Sequence, residues 1–99
     1  MDRVLVNKPQ PLEAQAVAER NKVQKSFGTR VRLLRTEQNL TLEMLAEKAD
    51  LHEKYVGSVE RGERNLSLFN VWRLAKGLSI TTAELVEELP SPRAVRTRK

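Results

Sequence analysis

Val23, Phe27, Val31 and Leu34 recur at i, i+4, i+8 and i+11, which lays one apolar stripe along a helix. The stretch from Leu12 that precedes them is rich in Glu, Ala, Gln, Lys and Arg, good helix formers, and Pro11 suits a first turn. The spacing predicts a helix from about Leu12 to about Glu37, with Gly28 as the place where it could break. Arg30, Arg32 and Arg35 leave the stripe and are expected to face solvent or a partner. Thr41 is an N-cap residue, and Leu42, Leu45, Ala46 and Ala49 at i, i+3, i+4 and i+7 predict a short second helix. Asp50-Leu51 is the expected turn. A third helix follows from about 52 to 61, with Val56 and Val59 inward and Gly62 at its end. Ser67 caps a fourth helix carrying Leu68, Val71, Leu74, Ala75 and Leu78, with Gly77 marking its end. Thr81 and Glu84 form a capping-box pattern for a fifth helix with Leu85, Val86 and Leu89, stopped by Pro90 and Pro92. No segment alternates like a strand and no repeat recurs, so the expected class is all-α.

Composition narrows the picture. Ninety-nine residues support one core, not two. Hydrophobic residues make up 39% and charged residues 31% of the chain, the balance of a folded domain. There is no cysteine and one histidine, His52, so neither a disulfide scaffold nor a zinc cluster is expected. No apolar run approaches the roughly 18 residues that span a bilayer, and Met1–Val6 is too short for a signal-peptide core. A cytoplasmic location is the expectation. The formal net charge of +5 is unevenly placed. Residues 23–89 carry ten basic and ten acidic side chains, whereas residues 90–99 carry Arg93, Arg96, Arg98 and Lys99 and no acid. Any nucleic-acid binding by the central part must therefore rest on where its charges lie. The organisation expected is an N-terminal arm and helical extension over 1–22, a domain over 23–89 and a basic tail over 90–99.

Two short helices joined by a tight turn form a helix-turn-helix, in which the first crosses the DNA backbone and the second enters the major groove. The residues Thr41–Leu51, Tyr55-Val56, Val59-Glu60-Arg61-Gly62, Arg64-Asn65 and Ser67-Leu68 resemble those of the Cro/Xre-like, phage-repressor type of helix-turn-helix regulator. The run from Glu60 to Leu68 also resembles that of controller proteins of restriction–modification systems. The resemblance covers about residues 23–89. It implies a five-helix, lambda-repressor-like domain, sequence-specific double-stranded DNA binding as a transcriptional regulator, and a homodimer on a palindromic operator. Ala46 is expected at the close crossing of the second and third helices, where a larger side chain would overpack. Asp50 stands where the family usually has a left-handed glycine, a region that Asp visits more readily than most residues. Leu42 replaces a glutamine that in many relatives holds a phosphate, so that contact is not carried over.

By position, Glu53, Lys54 and Ser58 are the candidate base-reading residues. Lys54 can donate to guanine O6 or N7, Glu53 can accept from cytosine N4, and Ser58 can do either. The candidate phosphate contacts are His52, Tyr55, Arg61, Arg64 and Asn65, with His52 also a helix cap and Tyr55 equally a packing residue. Glu60 matches a position serving the domain's own structure, by pairing with an arginine of the first helix. Phe69 and Trp72 are offset from the fourth helix's stripe, so at least one is expected to be exposed and to mark an interface. No nucleophile with its base and no paired carboxylates in a suitable context are present, so no catalytic residue, metal or cofactor is expected. The rival to a DNA-binding regulator is a protein-interaction adaptor or antitoxin on the same fold, supported by the neutral central segment.

Overall fold

In the computed structural model, residues 13–92 are described; the expected arm, the start of the extension at Leu12 and the tail cations from Arg93 onward lie outside them. Five helices follow one another: α1 (Ala14–Glu37), α2 (Leu42–Ala49), α3 (Glu53–Glu60), α4 (Leu68–Leu78) and α5 (Thr82–Val86). No strand occurs among the described residues.

The helix starts follow the capping chemistry. The Thr41, Ser67 and Thr81 side chains accept the backbone N–H of Met44, Asn70 and Glu84 respectively. Glu84 returns the bond to the Thr81 backbone, completing the capping box. The helix ends share one device. Asn39, Asp50, Gly62 and Ser79 all have φ between 58° and 78°, and each is followed by a 6→1 backbone bond, such as Leu51 N–H to Ala46 O and Glu63 N–H to Ser58 O. This is the Schellman ending, which satisfies the last carbonyls and reverses the chain in the fewest residues. Asp50 occupies the left-handed turn position as expected, and its carboxylate also meets Lys76 Nζ of α4 at 2.7 Å. That bond holds the Asp50 carboxyl below its usual pKa.

Phe27, Val31, Leu45, Ala46, Ala49, Val56, Val59, Leu74, Ala75, Leu78 and Leu85 form one buried cluster, with Leu40 at its edge. Two glycines take roles different from those expected. Gly28 does not break α1, which runs continuously for 24 residues. A Cβ there would overlap the Val59 carbonyl oxygen and lie 2.6 Å from that of Glu60, so α1 and α3 meet backbone to backbone. Gly77 does not end α4, because the left-handed residue is Ser79. A Cβ on Gly77 would come within 3.0 Å of Ala49 Cβ and Leu45 Cδ1, so α4 packs closely on α2 here. Ala46 is buried as expected, and these two glycines likewise sit at close helix contacts.

Three further expectations are corrected. Val23 and Leu68, assigned to inward stripes, are exposed: Leu68 is the first residue of α4, and Val23 lies one turn before Phe27, the first core residue of α1. Leu89 lies beyond α5, in the turn that follows Val86. Arg35 turns inward: Nε and Nη2 donate to Glu60 of α3 at 2.7 and 3.0 Å, and Nη1 donates to the Leu40 carbonyl at 2.8 Å. The pairing of Glu60 with an arginine of the first helix is thus present. The two side chains are only 12% and 7% exposed, which makes this a buried, bidentate ion pair. The hydrogen bond to Glu60 raises the Arg35 pKa above its usual value.

Gly28→Ala is expected to cost about 3 kcal/mol of stability, because the new methyl meets backbone that has no side-chain freedom to yield. Gly57→Ala, whose methyl meets only side-chain tips, Arg61 Nη1 at 3.4 Å and Leu42 Cδ1 at 3.7 Å, should stay within about 1 kcal/mol of wild type. Urea denaturation of both variants checks this; equal midpoints would remove the α1–α3 close approach from the account. Glu60→Ala should cost about 3 kcal/mol by leaving Arg35 buried without its carboxylate. A loss below about 1 kcal/mol would put the pair in the class of exposed bridges.

Candidate nucleic-acid interface

α3 is anchored on two sides and open on the third. Val56 and Val59 enter the core, and Glu60 is tied to α1. Helical periodicity then puts Glu53, Lys54, Gly57 and Arg61 on the opposite face. With Leu42 of α2 they line a shallow depression of about 360 Å³. Gly57 forms its floor, and Arg61 Nη1 would lie 3.4 Å from a Cβ on Gly57. Arg61, expected past the end of the helix as a phosphate contact, is therefore laid along this face. Its Nε and Nη2 donate to Glu63 at 3.0 and 3.3 Å. That fork raises the Arg61 pKa and lowers the Glu63 pKa. Leu42 gives the rim an apolar contact in place of the glutamine expected in relatives.

His52 caps the helix: its Nδ1 accepts the Lys54 backbone N–H at 3.2 Å. The exposed ring stands at the positive end of the α3 dipole, a place that favours an anion. Glu53 and Lys54 are exposed, as their expected roles require.

Ser58 differs from the expectation. Its side chain is turned inward and the residue is only 4% exposed. The hydroxyl donates to the Tyr55 carbonyl at 2.7 Å and accepts from Arg64 Nε at 2.9 Å. A base edge cannot reach an oxygen so enclosed, so Ser58 leaves the set of candidate readers. Tyr55 is half-buried, its hydroxyl accepting from Asn70 Nδ2 of α4 at 3.1 Å, with the Arg64 guanidinium carbon 5.6 Å from its ring centroid. Asn65, expected beside Arg64 as a phosphate contact, lines a groove with Val23, Gln24 and Pro90. It belongs to the seam between α1 and the chain after α5. Glu63, Gly57 and Asn70 are site residues that the sequence reading missed. The adjacency of Glu63 to two arginines was a signal for the first; Asn70 had none, because its partner lies on another helix.

A second surface lies on α4. Leu68, Phe69 and Trp72 at the start of α4 are 79%, 56% and 50% exposed. The two rings stack with centroids 6.0 Å apart. Arg73 lies 4.3 Å from the Phe69 centroid and Lys76 lies 5.7 Å from that of Trp72. Both aromatics, not just one, are therefore exposed. Among the described residues no group of His, Cys, Asp and Glu could hold a metal ion, and no helix is long and apolar enough to cross a membrane.

Comparison with known proteins accounts for this arrangement. Residues 31–85 match the helix-turn-helix family of Cro/Xre type. The chain is 37% identical over 68 residues to the control protein C.BamHI of Bacillus amyloliquefaciens, covering 68% of this chain and 84% of that one. It is 41% identical over 64 residues to the control protein C.SmaI of Serratia marcescens, covering 65% and 76%. Its fold is similar to the crystal structure of the restriction–modification controller protein C.AhdI from Aeromonas hydrophila. There the TM-score is 0.61 and the identity 48%, over 63% of this chain and 94% of that one. Matched along more than half its length, and homologous to these control proteins, the chain belongs to the helix-turn-helix family.

Proposed function

We propose that the protein is a sequence-specific double-stranded DNA-binding transcriptional regulator of the controller type. In this reading it acts in the cytoplasm by binding alone, without catalysis or cofactor, as a homodimer on a palindromic operator. The observation that carries the reading is the open face of α3, where Glu53, Lys54 and Arg61 surround the Gly57 floor. The face belongs to a helix whose other sides are fixed to the core and to α1. Such a helix in the major groove presents Lys54 and the Arg61 Nη1 group to guanine and Glu53 to cytosine N4. Arg61 takes the reading place vacated by Ser58. His52, the Tyr55 hydroxyl and Arg64 flank this face and are assigned to phosphates; Asn65 is not.

One α3 covers a half-site, and a second copy about one helical turn away multiplies affinity and specificity. The Leu68–Phe69–Trp72 surface is the two-fold contact in this proposal, since apolar area of this exposure is stabilised by association. The same surface favours the second reading, an adaptor or antitoxin bound to a different protein.

Selection of the full chain against a pool of random duplexes separates the two. Enrichment of an inverted repeat is the expected result; no enrichment at low salt supports the adaptor. Lys54→Ala should cost about 1–3 kcal/mol on the selected duplex and much less on unrelated DNA. Arg64→Ala should weaken both alike, because a phosphate contact does not depend on sequence. Equal losses for Lys54→Ala on both duplexes would remove it from the reading face. Trp72→Ala should convert a dimer at micromolar concentration to monomer in sedimentation, with α-helical content unchanged. A dimer that persists would place the two-fold contact elsewhere.

A further inference from the structure

The enclosed hydroxyl of Ser58 has a use that base reading does not explain. Its hydrogen is committed to the Tyr55 carbonyl, 2.7 Å away in the same helix, so only a lone pair faces the loop after α3. That lone pair receives Arg64 Nε at 2.9 Å. An arginine gripped at Nε has its two terminal NH₂ groups directed away from the grip, as a planar fork. Arg35 gives its terminal nitrogens to Glu60 and the Leu40 carbonyl, and Arg61 gives Nε and Nη2 to Glu63, keeping Nη1 for the α3 face. Among the described residues the terminal nitrogens of Arg64 have no partner. The guanidinium is also steadied by the Tyr55 ring beneath it, and that ring is tethered to α4 through Asn70.

We infer that Ser58 is a positioning residue: its buried hydroxyl aims the fork of Arg64 at a DNA phosphate beside the α3 face. The inference rests on the DNA-binding reading above. An aimed fork binds a phosphate bidentately, whereas a freely rotating arginine must lose side-chain entropy to do so. The effect of Ser58 on DNA is then indirect, independent of sequence and wholly dependent on Arg64.

The test is a double-variant cycle read by fluorescence anisotropy, with the full-length chain, the selected duplex and an unrelated duplex. Ser58→Ala should weaken both duplexes about fivefold, the range of one net hydrogen bond, and Arg64→Ala both about tenfold or more, the range of a hydrogen bond to a charged group. Ser58→Ala should add nothing in the Arg64→Ala background. Arg64→Lys keeps the charge but lacks Nε and the fork, so it should lose about fivefold as well, and Ser58→Ala should add nothing to it. Arg64 is exposed, so these variants fold even if Ser58→Ala does not, and then Arg64→Lys with wild-type affinity alone overturns the inference. It is also overturned if the Ser58 and Arg64 losses add, or if the Ser58→Ala loss is confined to the selected duplex. Those results leave the DNA-binding reading standing; a wild-type chain that binds neither duplex overturns both.

Discussion

The contact between α1 and α3 is the constraint on which the rest of the molecule depends. Gly28 lets the two backbones meet, and the Arg35–Glu60 pair closes the same crossing with two short hydrogen bonds in a largely enclosed site. α3 has only eight residues, too few to hold its shape alone in water. Its direction is therefore imposed from outside, by the 24-residue α1 behind it and by the turn at Asp50 in front. A reading helix has to present its side chains in a fixed register to a rigid duplex. The buried crossing supplies that register, so the exposed face can carry charge without having to contribute to folding.

The economy of the turns follows from the same need. Among the described residues four helices end on a left-handed residue, and three of these, Asn39, Asp50 and Ser79, are not glycine. Asn and Asp tolerate that region through their short polar side chains, and Asp50 is further held by Lys76. The pair ties the turn between α2 and α3 to α4, the helix that also steadies Tyr55 through Asn70. α4 thus supports the turn and the first residues of α3.

Much of this was legible in the sequence wherever the determining chemistry is local. The caps at Thr41, Ser67 and Thr81, the left-handed Asp50 and the inward pair Val56 and Val59 are all set by neighbours within a few residues. Glu60's pairing with an arginine of the first helix was readable from the resemblance. What escaped depends on long-range placement. A glycine in a sequence looks the same whether it ends a helix, breaks one or admits another backbone, so Gly28 and Gly77 were misassigned. Ser58 lies at the boundary between the open and covered sides of α3, and only the path of the loop carrying Arg64 decides which way its hydroxyl turns. Arg35 was expected outward because an arginine off the apolar stripe usually is; its carboxylate partner is 25 residues away. Leu68 and Val23 fit their stripes by period, but Leu68 opens its helix and Val23 lies one turn before the core begins at Phe27.

The central claim is that the open face of α3 reads base edges. Its most direct measurement is the map of amide and side-chain NMR shifts when the full chain binds the duplex recovered by selection. The account predicts the largest changes at Glu53, Lys54, Gly57 and Arg61, smaller ones at His52, Tyr55 and Arg64, and little at Gly28, Leu74 and Gly77. Shifts concentrated at other surfaces, with the α3 face unmoved, would contradict it.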